Sequence, residues 1–244
     1  MVEMGKLLTE GKGKRVYATD DPGKAIVYFK DEAMAFHGLK RGRILGKGEV
    51  NNAVSRQFFQ LLTKNGIENH YLEQVDNRHS LVRRVEIIPV AVKVRNRAAG
   101  SLAKRCGLPV GEKMEPPVVE FALKDDYLDN PLVNGTHIQA MKIATAEEMR
   151  QIVQTALKVN DILTEYMKEI NIEVIDFKLE FGRFEGRILV ADEISPDTAR
   201  FWDSRTHEPL DIDRFRRDLG NVEQAYQELL HRMMGMDEAG EMRE

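Results

Sequence analysis

The chain has 244 residues, 42% hydrophobic and 31% charged, with a formal net charge of -4 at pH 7. That length suits one large domain or two lobes around a sizeable core, and the charge balance gives no global pull toward nucleic acid. One cysteine, Cys106, excludes an internal disulfide and the common zinc spacings.

No run approaches the roughly 20 apolar residues of a membrane span, and the first residues carry no apolar signal region. The expectation is a soluble, cytoplasmic protein with neither nucleic acid nor membrane as partner. Cys106 is expected as a small, partly buried side chain rather than a reactive thiol.

From the N-terminus, LLTEG, RVYATD and AIVYFKD read as short strands, with turn signals such as Asp20-Asp21-Pro22-Gly23 between them. A helix over 49–64 follows, because Val50, Ala53, Val54, Phe58, Leu61 and Leu62 keep one face apolar and Asn65-Gly66 is a stop. HYLEQV and LVRRVEIIPVAVKV are further strands. Together they make a mostly antiparallel N-terminal lobe, 1–88, with the second lobe as 89–244.

The second lobe opens with a helical pattern over 98–105, a turn at Pro116-Pro117, a strand over 118–123 and an irregular stretch to about 143. Thr145 with Glu148 three residues on is a capping-box signature for a long helix whose apolar face runs from Met149 to Met167. The strand VIDFKLEFG, 174–182, then turns through 183–186 into a second strand, 187–191, and a last helix covers 222–234. The fold class is α+β.

Read as a strand, VIDFKLEFG puts Ile175, Phe177, Leu179 and Phe181 on one face and Asp176, Lys178 and Glu180 on the other. Neighbours on the charged face are ~7 Å apart, so at an effective dielectric of ~20 each attraction is worth only ~2 kcal/mol. Burying ions costs several kcal/mol each. The face is therefore either wet or occupied by a ligand of high charge density. ILVADEISPD presents Asp192 and Glu193 at the end of the next strand, across the hairpin from Glu180, and converging carboxylates suit Mg²⁺ with phosphate oxygens.

In GKGKRVYATD, Gly11 and Gly13 permit close backbone approach to an anion, and Lys12 and Lys14 add charge. No helix pattern follows, so this is neither a Walker A loop nor a dinucleotide fingerprint; a strand-loop-strand lid over ATP and a solvated basic turn are both open readings. In VKVRNRAAGSLAKR, Arg95 and Arg97 share a strand face, and Gly100-Ser101 sits at a helix start where an anion could bind.

Taken together, GKGKRVYATDD, GKGEVNN, VRNRAAGS, IDFKLEFG, ADEISPDTARFWD and DRFRRDLG resemble the phosphoribosylaminoimidazole-succinocarboxamide synthase (SAICAR synthetase) family over about residues 6–233. The resemblance implies a two-lobed fold related to ATP-grasp enzymes, an assembly of two or more copies, and ATP and Mg²⁺ as cofactors. It also implies ligation of L-aspartate to a phosphoribosyl imidazole carboxylate. By the same resemblance Lys12, Gly13, Lys14 and Val16 contact ATP, Glu180 and Asp192 hold Mg²⁺, and Lys178, Asp176 and Asp197 serve catalysis. Arg95, Ser101, Arg200, Arg216 and Lys124 would bind substrate.

Some positions depart from that pattern. Met34 and His37 stand where TAFN is usual, Ala91 and Lys93 lie in PVAVKVRN where PLEVVVRN is usual, Asn130 precedes Pro131 where an aspartate is usual, and Ile212 replaces the lysine of DKD. In the family the glutamate at position 91 helps bind a cation at the imidazole carboxylate, and alanine cannot ligate a metal. Three readings follow: the family reaction with contacts rerouted through neighbours such as Glu86 or His37, a paralogous ligase for another phosphorylated acid, or a nucleotide-binding protein without catalysis.

Overall fold

A computed structural model describes residues 3–35 and 38–235. The first half forms an antiparallel sheet from β1 (Leu7–Glu10), β2 (Lys14–Ala18), β3 (Lys24–Phe29), β6 (Tyr71–Gln74) and β7 (His79–Arg83), in the order β1-β2-β3-β7-β6. Between β3 and β6 lie the hairpin β4 (Glu32–Ala35) with β5 (Lys40–Arg43) and the helix α1 (Lys47–Lys64).

The larger sheet runs β10-β9-β8-β11-β12, from β8 (Glu86–Arg97), β9 (Lys113–Leu123), β10 (Leu132–Val133), β11 (Ile172–Phe184) and β12 (Arg187–Ala191); β13 (Ala199–Asp203) also pairs with β11. Around it are α2 (Gly100–Cys106), α3 (Gly135–Ala140), α4 (Ala146–Glu169), α5 (Asp213–Arg216) and α6 (Val222–Met234). The apolar sides of α1, α4 and α6 pack with β8 and β11 in one core that includes Phe58, Val92, Leu163, Phe177, Phe201 and Leu229. A small separate core of Ala25, Val27, Phe29 and Val82 belongs to the five-stranded sheet.

The long-helix signature holds: Thr145 Oγ1 accepts from the Glu148 N-H at 3.1 Å and Glu148 Oε2 accepts from the Thr145 N-H at 2.7 Å. The irregular stretch before it contains β10 and the short α3, whose Asn134–His137 capping box replaces the usual Ser/Thr and Glu/Gln pair. Helix α2 begins at Gly100, two residues later than expected, because β8 continues to Arg97. The expected lobe division at 88/89 falls inside β8.

Two expectations for the hairpin change. Its loop is only Glu185-Gly186, both at positive φ (49° and 75°), the two-residue turn whose twist suits flanking strands. The even alternation of VIDFKLEFG is also interrupted, since Val174 and Asp176 pair with the adjacent residues Phe201 and Arg200, leaving Ile175 as a bulge. Val174 therefore joins the main core with Phe177, while Ile175 packs separately with Ala99 and Trp202. Cys106, expected partly buried, is exposed. No helix among the described residues is long and apolar enough to cross a membrane.

Candidate active site

The sheet register builds the site. Arg95, Lys93 and Ala91 of β8 pair with Asp176, Lys178 and Glu180 of β11, while Val92 and Val94 between them point into the core. The two charged rows floor a cleft of about 700 Å³ that the glycine-rich loop between β1 and β2 also lines. Every site residue that the family resemblance implied lines it except His37, which lies outside the described residues, whereas Arg97, expected beside Arg95, donates instead to Glu173 and the Gly111 carbonyl.

The acids of VIDFKLEFG are not wet. Asp176 and Glu180 are each 5% exposed, so each requires a cation close by. At one end Lys178 Nζ lies 2.8 Å from Glu180 Oε1 and 3.0 Å from Asp192 Oδ2. Lys124 also binds Glu180, and Lys14 binds Asp192 and lies 2.9 Å from Glu193 Oε1. Burial by itself would raise the Asp192 pKa; the Lys14 and Lys178 ammonium groups override it and hold the carboxylate well below its usual range. His70 lies behind this cluster and donates from Nε2 to the Asp192 carbonyl at 2.9 Å; burial pushes its pKa down to about 4, so the ring is neutral near pH 7.

At the other end Asp176 turns away from Lys178. Its Oδ2 accepts from Arg95 Nη1 at 2.8 Å and from Arg200 Nη1 at 2.8 Å. Arg95 is completed by Glu120 at 2.6 Å and Ser101 Oγ at 3.1 Å, and Arg200 by Asp213 at 2.7 Å. Asp213 also takes Arg216 Nη1 at 2.8 Å. Asp176, expected in catalysis, spends its hydrogen bonds on these two guanidiniums.

In the loop just before β13, Asp197 meets the fully buried Lys47 at 2.5 Å and accepts from Tyr226 Oη at 2.6 Å. A Cβ on Gly13 would come within 3.3 Å of Asp197 Oδ2, so the glycine loop passes closely over this pair. Lys12 reaches Asp126 at 3.0 Å on the exposed rim, and Val16 packs against the small core of its sheet. Sequence reasoning missed Lys47, Tyr226, Glu120 and Asp213 as site residues. Lys47 lies within GKGEVNN, a stretch with no chemistry legible in its spacing. Tyr226 and Glu120 act through pairings remote in the chain, and Asp213 joins the remote Arg200 as well as its neighbour Arg216.

The SAICAR synthetase family model matches residues 7–233. The chain belongs to the SAICAR synthetase family. The phosphoribosylaminoimidazole-succinocarboxamide synthase of Coprothermobacter proteolyticus is 57% identical over 228 residues, spanning 93% of this chain and 97% of that one. Among solved structures, the synthase of Ehrlichia chaffeensis superposes with a TM-score of 0.92 at 39% identity, covering 95% of this chain and 99% of that one. A SAICAR synthetase in complex with ADP superposes with a TM-score of 0.90 at 42% identity, covering 98% and 100%.

Against the SAICAR synthetase pattern, the departures that lie in the described residues converge: Met34, Ala91, Asn130 and Ile212 all line the cleft. Asn130, at φ 48°, donates from Nδ2 to Asp126 Oδ1 at 2.8 Å, a bond that an aspartate carboxylate there would replace with like-charge repulsion. Glu86 is not available to take over from the missing glutamate, for it is exposed and lies 3.6 Å from Arg183, away from the cleft.

Proposed function

We propose that the chain is an ATP-dependent carbon–nitrogen ligase that joins the amine of L-aspartate to 5-amino-1-(5-phosphoribosyl)imidazole-4-carboxylate, releasing ADP and phosphate. One observation carries this reading: a single sheet floor presents a lysine–carboxylate cluster at one end and a bis-arginine clamp at the other. The first suits the β- and γ-phosphates of ATP, the second a phosphate monoester, and a reacting carboxylate fits between them.

In this reading Arg95, Arg200 and Ser101 hold the ribotide 5′-phosphate, with Asp176 and Asp213 as positioning residues for the guanidiniums. A carboxylate oxygen attacks the γ-phosphorus in line and ADP leaves, with Lys178 and Lys14 absorbing charge on the transferring group. The amine of aspartate then attacks the acyl carbon, the acyl–oxygen bond breaks, phosphate leaves and the nitrogen loses a proton. Asp197, held by Lys47 and Tyr226, faces the glycine loop, which covers the nucleotide and excludes water.

Mg²⁺ belongs to the same reading. Glu180 and Asp192 offer hard oxygen donors, and the ammonium groups of Lys14, Lys124 and Lys178 already supply positive charge at those carboxylates, which is the balance a bound cation would share. Held by Glu180 and Asp192, the ion would supply positive charge against the phosphate groups. The division into a nucleotide-covering lobe and a substrate lobe, supported by the separate small core, is also part of the proposal, as are homo-oligomerisation and cytoplasmic residence.

A second reading, ligation of another phosphorylated carboxylic acid, is favoured by the altered wall at Met34, Ala91 and Ile212. ADP release by purified protein, omitting each substrate in turn, separates the two. Release that requires ATP, Mg²⁺, aspartate and the imidazole carboxylate ribotide is expected. Release without the ribotide, or none with all four present, contradicts the first reading.

A further inference from the structure

Lys93 is a cleft-lining cation that no carboxylate among the described residues claims. It sits on β8 between Ala91 and Arg95, opposite Lys178 on β11 and Glu120 on β9. Each nearby acid is committed elsewhere: Glu120 to Arg95 and Arg105, Asp176 to Arg95 and Arg200, Glu180 to Lys178 and Lys124. Lys93 has no hydrogen bond and no ion pair at bonding distance among the described residues. Burial, and then the Arg95 charge, lower its pKa, as expected of a half-buried ammonium short of an anion.

Position names the anion. Residues two apart on a strand are ~7 Å apart, so the base of Lys93 lies about that far from Arg95 in the clamp and equally far from Ala91, which pairs with Glu180 of the lysine–carboxylate cluster. That midpoint is where a carboxylate must lie if its ribotide phosphate is in the clamp and its oxygen faces the γ-phosphate. Ala91, with nothing beyond Cβ, adds no competing acid on this face.

We propose that Lys93 is a binding and specificity residue for the acid substrate, its ammonium holding the carboxylate that is to be phosphorylated directly, without an intervening cation. The proposal rests on the ligase reading above. It also accounts for two departures together: an acid is absent at 91 and a base is present at 93, so the wall itself supplies the positive charge.

Calorimetric binding in the presence of a chelator tests it, with two ligands: the imidazole carboxylate ribotide and the same ribotide lacking the carboxylate. Wild type should prefer the carboxylated ligand. Lys93→Met should lose about 10- to 100-fold for that ligand, the range of a charge-assisted contact, and less than about 2-fold for the other. Lys93→Arg should retain most of the preference.

An equal loss for both ligands, or no loss, overturns the inference while leaving the substrate reading intact. So does wild-type binding of the carboxylated ribotide that appears only with Mg²⁺. If wild type binds neither ribotide even with Mg²⁺, the substrate reading itself fails and the inference with it. Binding of the decarboxylated ligand by Lys93→Met also shows that the variant is folded.

Discussion

Lys47 Nζ lies 2.5 Å from Asp197 Oδ2, with the lysine side chain wholly buried at the start of α1. The contact joins residues 150 positions apart and ties α1 to the loop between β12 and β13 under the glycine-rich loop. Removing one partner of a buried pair leaves the other charge unpaired, a loss of about 3–5 kcal/mol. Lys47→Met should therefore lower the urea midpoint markedly and, in whatever fraction remains folded, abolish nucleotide-dependent turnover. A variant with wild-type stability and turnover would show that the pair neither holds the loop nor serves the site.

Gly100 has φ 50°, and a Cβ there would lie 2.5 Å from Arg200 Nη2. That guanidinium is already held by Asp176 and Asp213, so it cannot swing aside without breaking those bonds. For Gly100→Ala, steady-state kinetics should give a KM for the phosphorylated acid raised about 10-fold, with the KM for ATP little changed, one disrupted charged contact being worth about 1.5–3 kcal/mol. Equal rises in both constants would mean the damage is general.

Lys178 neutralises Glu180 and Asp192 together. Lys178→Met should lower kcat by about 100-fold or more, the usual scale for losing one preorganised electrostatic group. Single-turnover ADP formation is the measurement. Unchanged chemistry with weakened ATP binding would recast the lysine as a ground-state contact only.

Asp211 is wholly buried; burial and then the neighbouring Asp213 raise its pKa to about 7, although its carboxyl accepts from the Phe201 and Asp213 N-H groups at 2.8 Å each. A carboxyl whose pKa is higher folded than unfolded binds more protons in the native state between the two values. Its contribution to stability is therefore present below about pH 4 and lost as pH rises to about 7, by up to a few kcal/mol. Urea titrations at half-unit pH steps should show Asp211→Asn lacking that component of the slope. Parallel curves for the two proteins across this window would contradict it.

The element types were legible because their causes are local. The period-two run of β11, the Thr145–Glu148 cap and the apolar face of α6 all lie within a few residues of chain, so their signals survive without tertiary context. What was not legible came from elsewhere in the chain: the bulge at Ile175 exists because Val174 and Asp176 meet adjacent residues of β13, and α3 begins at a cap built from a less common residue pair.

The chain by itself determined which residues carry charge into the cleft, since alternation along β8 and β11 sends Lys93, Arg95, Asp176, Lys178 and Glu180 to one side and the valines, Phe177 and Leu179 to the other. Only the tertiary structure decided which acid answers which base. Asp176 belongs to Arg95 and Arg200 rather than to Lys178, Lys47 answers Asp197 from the start of α1, and Lys93 is left over among the described residues. Charge pairing in a buried site falls off within a few ångströms, so it follows sheet register and inter-element distance, which are properties of the fold and not of spacing along the chain.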